Sequence, residues 1–308
     1  MKRHIFIPFI VSLSGVFFAS SLQAQEIKSN AEYKARMDSL NNAYSVLIEE
    51  WNASIPPHFR KAMKLEKEAE ANPELKDSLL ALAAEERKIG EAFMPTLQAR
   101  MGSNQEERQA LLDRYALVFE DAFPYFIMRN QFSKDSLSVL LKKSSSEIRH
   151  SAAGKSLRKY IKTRQMTEGE RFRTFPCYDV KGKRFDWNLT KGKKVFLVHD
   201  GLWCMTHGTD NSAFRKYLRY ITEVAPGCFP LIVVNCATPE DLKASIEEFG
   251  LQDFCVVSEY KKNLGVLNWL YNDSTTPTCH HIDEQGILVK TTEGIDQDYL
   301  EKEFLKIK

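Results

Sequence analysis

The chain has 308 residues, of which 43% are hydrophobic and 27% charged, and its 43 basic and 41 acidic side chains leave a formal net charge of +2. This length allows about two domains of ordinary size, and the composition lets each bury a core. Near-balanced charge speaks against a nucleic-acid or membrane-surface partner.

Lys2, Arg3 and His4 precede a largely apolar run from Ile5 to Leu22, and Ala24-Gln25 offers a small-residue cleavage point. Residues 1–25 are therefore read as a signal peptide, with Leu22 an imperfect third position before the cut. The run is near the ~20 residues that cross a bilayer, so an uncleaved anchor is the alternative. Cleavage would deliver the protein to a bacterial periplasm without a membrane span, in a compartment where disulfides persist.

Residues 26–165 read as a helical domain. Tyr33, Met37, Leu40, Tyr44, Leu47 and Ile48 outline an amphipathic helix that stops near Ile55-Pro-Pro57. A second helix is expected over 74–100, opening after Asn72-Pro73 and broken by Met101-Gly-Ser-Asn104. A third runs from Gln105 to about Ala122, followed by shorter helices at 124–131, 134–142 and 151–162. This region holds no cysteine, and its histidines, His58 and His150, are isolated, so catalysis is expected elsewhere.

Residues 166–308 alternate strands and helices. Strands are expected at 172–178, 184–187, 194–200, 229–236, 254–257, 278–283 and 287–292, with helices at 205–224, 239–249, 260–270 and 297–306. That order implies a mostly parallel sheet with helices on both faces and a site at the carboxyl ends of the strands. Val195 to Val198 is an apolar run suited to a strand covered on both sides. Cys204 follows it directly, and Phe214, Tyr217, Leu218, Ile221 and Val224 then form one apolar helix face. A thiol between strand end and helix start feels unpaired N–H groups and the positive end of the helix dipole, which favour the nucleophilic thiolate.

Four stretches in this order carry a family resemblance. They are Gly169-Glu-Arg-Phe172 leading to Asp179-Val-Lys-Gly-Lys183 and Leu189 to Val195, then Trp203-Cys204-x-x-His207, Thr276-Pro277-Thr278, and Ile282-Asp-Glu-Gln-Gly286. Together they resemble the thioredoxin-like superfamily, in particular its TlpA-like and AhpC/TSA-like envelope branch of thiol-disulfide oxidoreductases, over residues 168–308. The resemblance implies an α/β thioredoxin-like C-terminal domain, with a central mixed sheet flanked by helices, behind the all-α N-terminal domain. It also implies a cis-proline at Pro277, a groove lined by Trp203, Thr276 and Pro277, protein thiols or disulfides as partners, and no cofactor. An extended peptide is the other occupant such a groove suits.

The departure from the family is His207, which stands where the branch has its second cysteine. Without that partner a mixed disulfide must wait for an external thiol. His207 is read either as a base or cation acting on Cys204, or as a side chain filling the lost cysteine's space. Cys279 is either a displaced second thiol or a small core residue. His199, His280 and His281, with Cys204 and His207, raise a metal reading, although adjacent strand residues point to opposite faces and only one of the two neighbouring histidines can share a side with Cys279. The place where the branch often carries an acid under its redox pair is taken by Val198, and the nearest acid is Asp200. Cys177, Cys228, Cys236 and Cys255 show no pair spacing, and a link such as Cys228 with Cys255 is one possibility among several. The expected function is thiol-disulfide exchange through Cys204 alone in an exported protein; the alternative is a redox-inactive binding protein of the cell envelope built on the same groove.

Overall fold

The computed structural model describes residues 26–202, 211–274 and 277–307, so the expected signal peptide lies outside the described residues. Internal contacts divide the described residues into a helical unit, 26–124 with 143–148, and an α/β unit, 125–142 with 149–307.

The helical unit is built on α1 (Asn30–Ser54), α2 (Pro56–Ala71) and α3 (Lys76–Tyr115). Ser29 caps α1 by accepting from the Glu32 amide. The proline pair that stops α1 also opens α2, because a first-turn proline gives up an N–H that would have no partner anyway. Sequence periodicity leaves this second helix unassigned. Where it expects two helices there is one, with Pro95 and Gly102 inside α3. Tertiary packing outweighs those local breakers. Leu97 and Met101 pack with Leu47 and Ile55, and Asn104 Nδ2 donates to the Leu40 carbonyl at 3.0 Å. Ala62, Ala69 and Ala83 are buried, and a Cβ on Gly90 would come within 2.9 Å of the Phe59 ring, so α2 and α3 approach closely through small residues.

Three further helices follow: α4 (Lys134–Lys143), α5 (Ser146–His150) and α6 (Ala152–Lys162). Ser151 caps α6 through the Gly154 amide.

The α/β unit is organised by a five-stranded sheet of β1 (Lys194–His199), β2 (Cys228–Val233), β3 (Cys255–Val257), β4 (Thr278–Ile282) and β5 (Leu288–Glu293), in the spatial order β3-β2-β1-β4-β5. β1, β2 and β3 run parallel, while β4 is antiparallel to β1 and β5. Helices α7 (Asn211–Val224), α8 (Pro239–Phe249) and α9 (Val266–Trp269) and a π-helical turn at Tyr299–Leu305 complete it. Central β1 is covered on both faces. Phe196 and Val198 enter a core with Phe214, Leu218, Ile221, Ile232 and Phe304, whereas Val195 and Leu197 enter another with Phe172, Phe175, Leu231, Val233, Leu267 and Tyr271.

The expected strands at 172–178 and 184–187 reduce to isolated bridges, Arg171 with Ile287, and Tyr178 with Arg184 and with Ser258. Aromatic packing among Phe172, Phe175, Phe185 and Trp187 holds this stretch in place of a ladder, and Trp187 Nε1 donates to the Phe175 carbonyl at 2.8 Å. The expected helix at 260–270 is a short 3-10 turn at Lys262–Leu264 and α9, separated by extended Gly265. Cys177, Cys228, Cys236, Cys255 and Cys279 are free thiols. A link between Cys228 and Cys255 is ruled out by register: Cys255 pairs with Leu231, three residues along β2 from Cys228. That offset is about 10 Å, beyond disulfide reach.

His281 faces the first core against the rings of Phe196, Tyr299 and Phe304, with Nδ1 donating to the Lys290 carbonyl. Burial pushes its pKa down to about 4, so it is a neutral core side chain. The unfolded chain takes up a proton near pH 6.5, where the folded chain does not. Stability is accordingly expected to fall as pH drops from about 6.5 towards 4, by up to roughly 3 kcal/mol. Urea titrations across that range would show this, and His281→Phe should remove the histidine's share of the slope. Leu197→Ala, at a fully buried position of β1, is expected to lower stability by about 2–5 kcal/mol, read as a lower denaturant midpoint.

Candidate active site

The candidate site lies where β1 ends. Asp200 and Gly201 both take positive φ, 54° and 75°, and turn the chain out of the sheet. At Gly201 a Cβ would lie 2.4 Å from the Pro277 nitrogen and 2.6 Å from its Cα. The two backbones are in direct contact, which only glycine permits. Pro277 immediately precedes β4, and its carbonyl accepts from the Gly294 amide at 2.8 Å. The chain leaving β1 is thereby held beside the chain entering β4. Leu202, buried on the core side, is the last described residue before Asn211. Trp203, Cys204, His207 and Thr276 lie outside the described residues. The structure brings their flanks together at Gly201 and Pro277.

Behind this contact runs a line of buried polar groups. His199, the last residue of β1, places Nδ1 2.7 Å from Asp273 Oδ2 and Nε2 3.0 Å from Asn235 Oδ1. His280 in β4 places Nε2 2.9 Å from the same Asp273 oxygen and Nδ1 3.1 Å from the Thr291 hydroxyl. Asn235 in turn donates from Nδ2 to Asp200 Oδ2 at 3.0 Å. The two histidines meet because His280 pairs with Leu197, two residues before His199 on the same face of β1. All three members of the His199, Asp273 and His280 cluster are at most 4% exposed.

Burial opposes ionisation of Asp273, but the charge and hydrogen bonds of His280 and His199 outweigh it and hold the carboxyl well below the usual range. Burial likewise works against charge on His199; the Asp273 hydrogen bond and charge, helped by Asn235 and Asp200, prevail and raise its pKa. Arg129, 2% exposed, reaches the same loop from the stretch before α4. Its guanidinium donates to the Asp273 carbonyl and, at 3.1 Å, to Asn272 Oδ1, and lies over the Phe126 ring. Asn268 Nδ2 adds a bond to the Asp273 carbonyl at 3.2 Å.

This cluster is the site feature that sequence reading missed. The histidines were visible as metal candidates, but their partner is a carboxylate four residues before Pro277. Among the described residues no group of three or more His, Cys, Asp or Glu side chains is arranged to hold a metal ion. Cys279 is fully buried in β4, and burial pushes its thiol up to about 12. Burial likewise raises Cys177 to about 12 and Cys228 and Cys255 to about 11, and moves Cys236 upward. None of these five is a thiolate at neutral pH.

No family model matches the sequence, and no curated protein matches it. Among solved structures, a thiol-disulfide oxidoreductase from Bacteroides fragilis is 15% identical, with 42% of this chain and 94% of that chain covered and a TM-score of 0.36. The thioredoxin domain of a thiol-disulfide oxidoreductase from Bacteroides vulgatus is 20% identical over 46% of this chain and 99% of its own, at a TM-score of 0.38. An exposed lipoprotein thioredoxin from Streptococcus pneumoniae is 26% identical over 40% of this chain and 90% of its own, at 0.31.

Gly201→Ala is expected to disrupt the site, since it adds both positive-φ strain and a clash with backbone that cannot rotate away. A loss of more than about 2 kcal/mol should appear in denaturant unfolding. The strand order β3-β2-β1-β4-β5, with β4 alone antiparallel to the rest and Pro277 set against the end of β1, gives the C-terminal part of the chain a thioredoxin-like fold, following a helical N-terminal region in the sequence.

Proposed function

We propose that the protein carries out thiol-disulfide exchange through Cys204, using an external thiol to complete each cycle. The observation that supports this most is the contact of Gly201 with Pro277, which sets the segment leaving β1 beside the proline that opens β4. Desolvation raises the pKa of the other five cysteines, four of them buried and Cys255 half-buried, which supports Cys204 as the reactive thiol.

The chemistry balances without a cofactor. The Cys204 thiolate attacks one sulfur of a substrate disulfide; a Cys204 mixed disulfide forms, the substrate S–S bond breaks, and the departing sulfur leaves as a thiolate that takes a proton. An external thiolate then attacks the mixed disulfide, a new disulfide leaves, and Cys204 returns as thiolate. His207, three residues further along, serves as the cation or base that favours the thiolate. Trp203, Thr276 and Pro277 form the groove for an extended protein substrate. The basic and apolar start of the chain supports export to the periplasm, with residues 1–25 as leader, a helical domain over 26–165 and the thioredoxin-like domain over 166–308. Among the described residues no helix is long and apolar enough to cross a membrane.

The histidine at position 207 favours a second reading, a groove that binds an envelope protein without redox chemistry. One variant separates the two. Cys204→Ser should reduce exchange between a peptide disulfide and glutathione to the uncatalysed rate if the first reading holds, and His207→Cys should raise turnover with a dithiol reductant. Unchanged exchange in Cys204→Ser would overturn the thiol mechanism, and peptide binding retained by a wild type that shows no exchange would establish the groove reading.

A further inference from the structure

The buried polar line behind Pro277 has no part in the exchange steps above, yet it ties together the end of β1, the loop after β2, β4, and the stretch before α4. Its proton count is set by geometry. Asn235 donates from Nδ2 to the Asp200 carboxylate, so its Oδ1 is an acceptor facing His199 Nε2. On its other side His199 Nδ1 faces a carboxylate oxygen. Both ring nitrogens must therefore carry hydrogen, and His199 is an imidazolium paired with the Asp273 carboxylate. His280 turns Nε2 to the same carboxylate oxygen, so that nitrogen carries a hydrogen, while its Nδ1 meets the Thr291 hydroxyl, which can either donate or accept.

We propose that His199 and Asp273 are positioning residues: their buried ion pair is a proton-dependent latch that holds the 272–274 loop, and with it Pro277, against Gly201. The inference rests on the reading of Cys204 only in what the latch serves, namely the geometry of the thiol site. Backbone bonds carry the latch outward. The Asp273 amide donates to the Leu267 carbonyl at 3.1 Å, and the Pro277 carbonyl accepts from Gly294 at 2.8 Å, so these two amides report whether the loop is seated. Arg129 fixes the same loop from its other side through the Asp273 carbonyl and Asn272.

The direction of the pH response follows from the pair. Because the folded pKa of His199 is raised, its contribution is complete below the ordinary histidine value of about 6.5 and is lost as pH rises through the folded value. Because that of Asp273 is lowered, its contribution is complete above the ordinary carboxyl value of about 3.9 and is lost only in stronger acid. The latch thus holds in mildly acid solution and loosens as pH rises through the folded value of His199, where a deprotonated Nε2 would set a lone pair against the Asn235 oxygen. The titratable and charged groups facing the pair are Asp200 and Glu259, which favour the imidazolium; Arg129, which favours the carboxylate; and His280, Cys279 and Tyr271 beside them.

Amide hydrogen exchange on the full chain, corrected for intrinsic rate, tests the latch without any assay of Cys204. In the wild type the Asp273 and Gly294 amides should be at least ~10-fold better protected near pH 6 than at the most alkaline pH at which the amides of β2 stay constant. Asp273→Asn should abolish that step, and Cys204→Ser should keep it. His199→Gln, a milder change that retains a donor, should lower protection at both pH values and also remove the step. A flat wild-type profile, or a step that persists in Asp273→Asn or in His199→Gln, would overturn the latch whatever Cys204 does. Alkylation of Cys204 across the same pH range reads the other claim. A step with an inert Cys204 would leave the latch standing and remove the exchange reading, whereas a step accompanied by a ~10-fold change in alkylation rate in Asp273→Asn would join the two.

Discussion

A carboxylate sealed inside a protein is costly unless opposite charge and hydrogen bonds surround it, and Asp273 shows how this fold meets that requirement. Its Oδ2 accepts from two imidazoles brought together by the register of β1 with β4, and its carbonyl is held by Arg129 and Asn268. One residue thereby decides how the loop before Pro277 is placed. In the latch proposed above, the contact of Pro277 with Gly201 depends on it. Removing one partner would strand a buried charge, which costs more than the pair itself contributes.

Two histidines of this sheet show that burial alone does not fix charge. His199 and His281 are both almost fully buried, 1% and 0% exposed. His199 meets acceptors at both nitrogens and stays protonated; His281 meets one carbonyl and three aromatic rings and is neutral. The difference lies in the side of the sheet each faces, since β4 sends His280 towards Asp273 and His281 towards Phe196 and Phe304. The adjacent histidines that look alike in sequence therefore have separate chemistry.

Much of the sheet was legible from sequence because its signals are local. The apolar run of β1 and the apolar face from Phe214 to Val224 each depend on neighbouring residues, and β1, the described part of α7 and α8 form where expected. Long-range packing was not legible. It carries α3 through Pro95 and Gly102, and it replaces a ladder by aromatic contacts around Trp187. The cluster at Asp273 was hidden for the same reason: residues 199, 235, 273 and 280 meet only once strand order and register are known. Strand alternation did separate His280 from His281. It could not supply the carboxylate between His199 and His280, which comes from a loop. Among the expected site residues, Gly201's neighbour Pro277 is placed, Cys279 is in the core, and Trp203, Cys204, His207 and Thr276 fall outside the described residues.

The central claim is that Cys204 is a nucleophile in a fold whose five described cysteines, four buried and Cys255 half-buried, are protonated thiols at neutral pH. The most direct test is the pKa of Cys204 itself in the intact protein, from the pH dependence of its alkylation with mass spectrometry assigning the labelled site. The account predicts a value well below the ~8.5 of a free thiol, with labelling confined to Cys204 near neutral pH. A value at or above that figure, or no labelling of Cys204 under conditions that modify free cysteine, would contradict it.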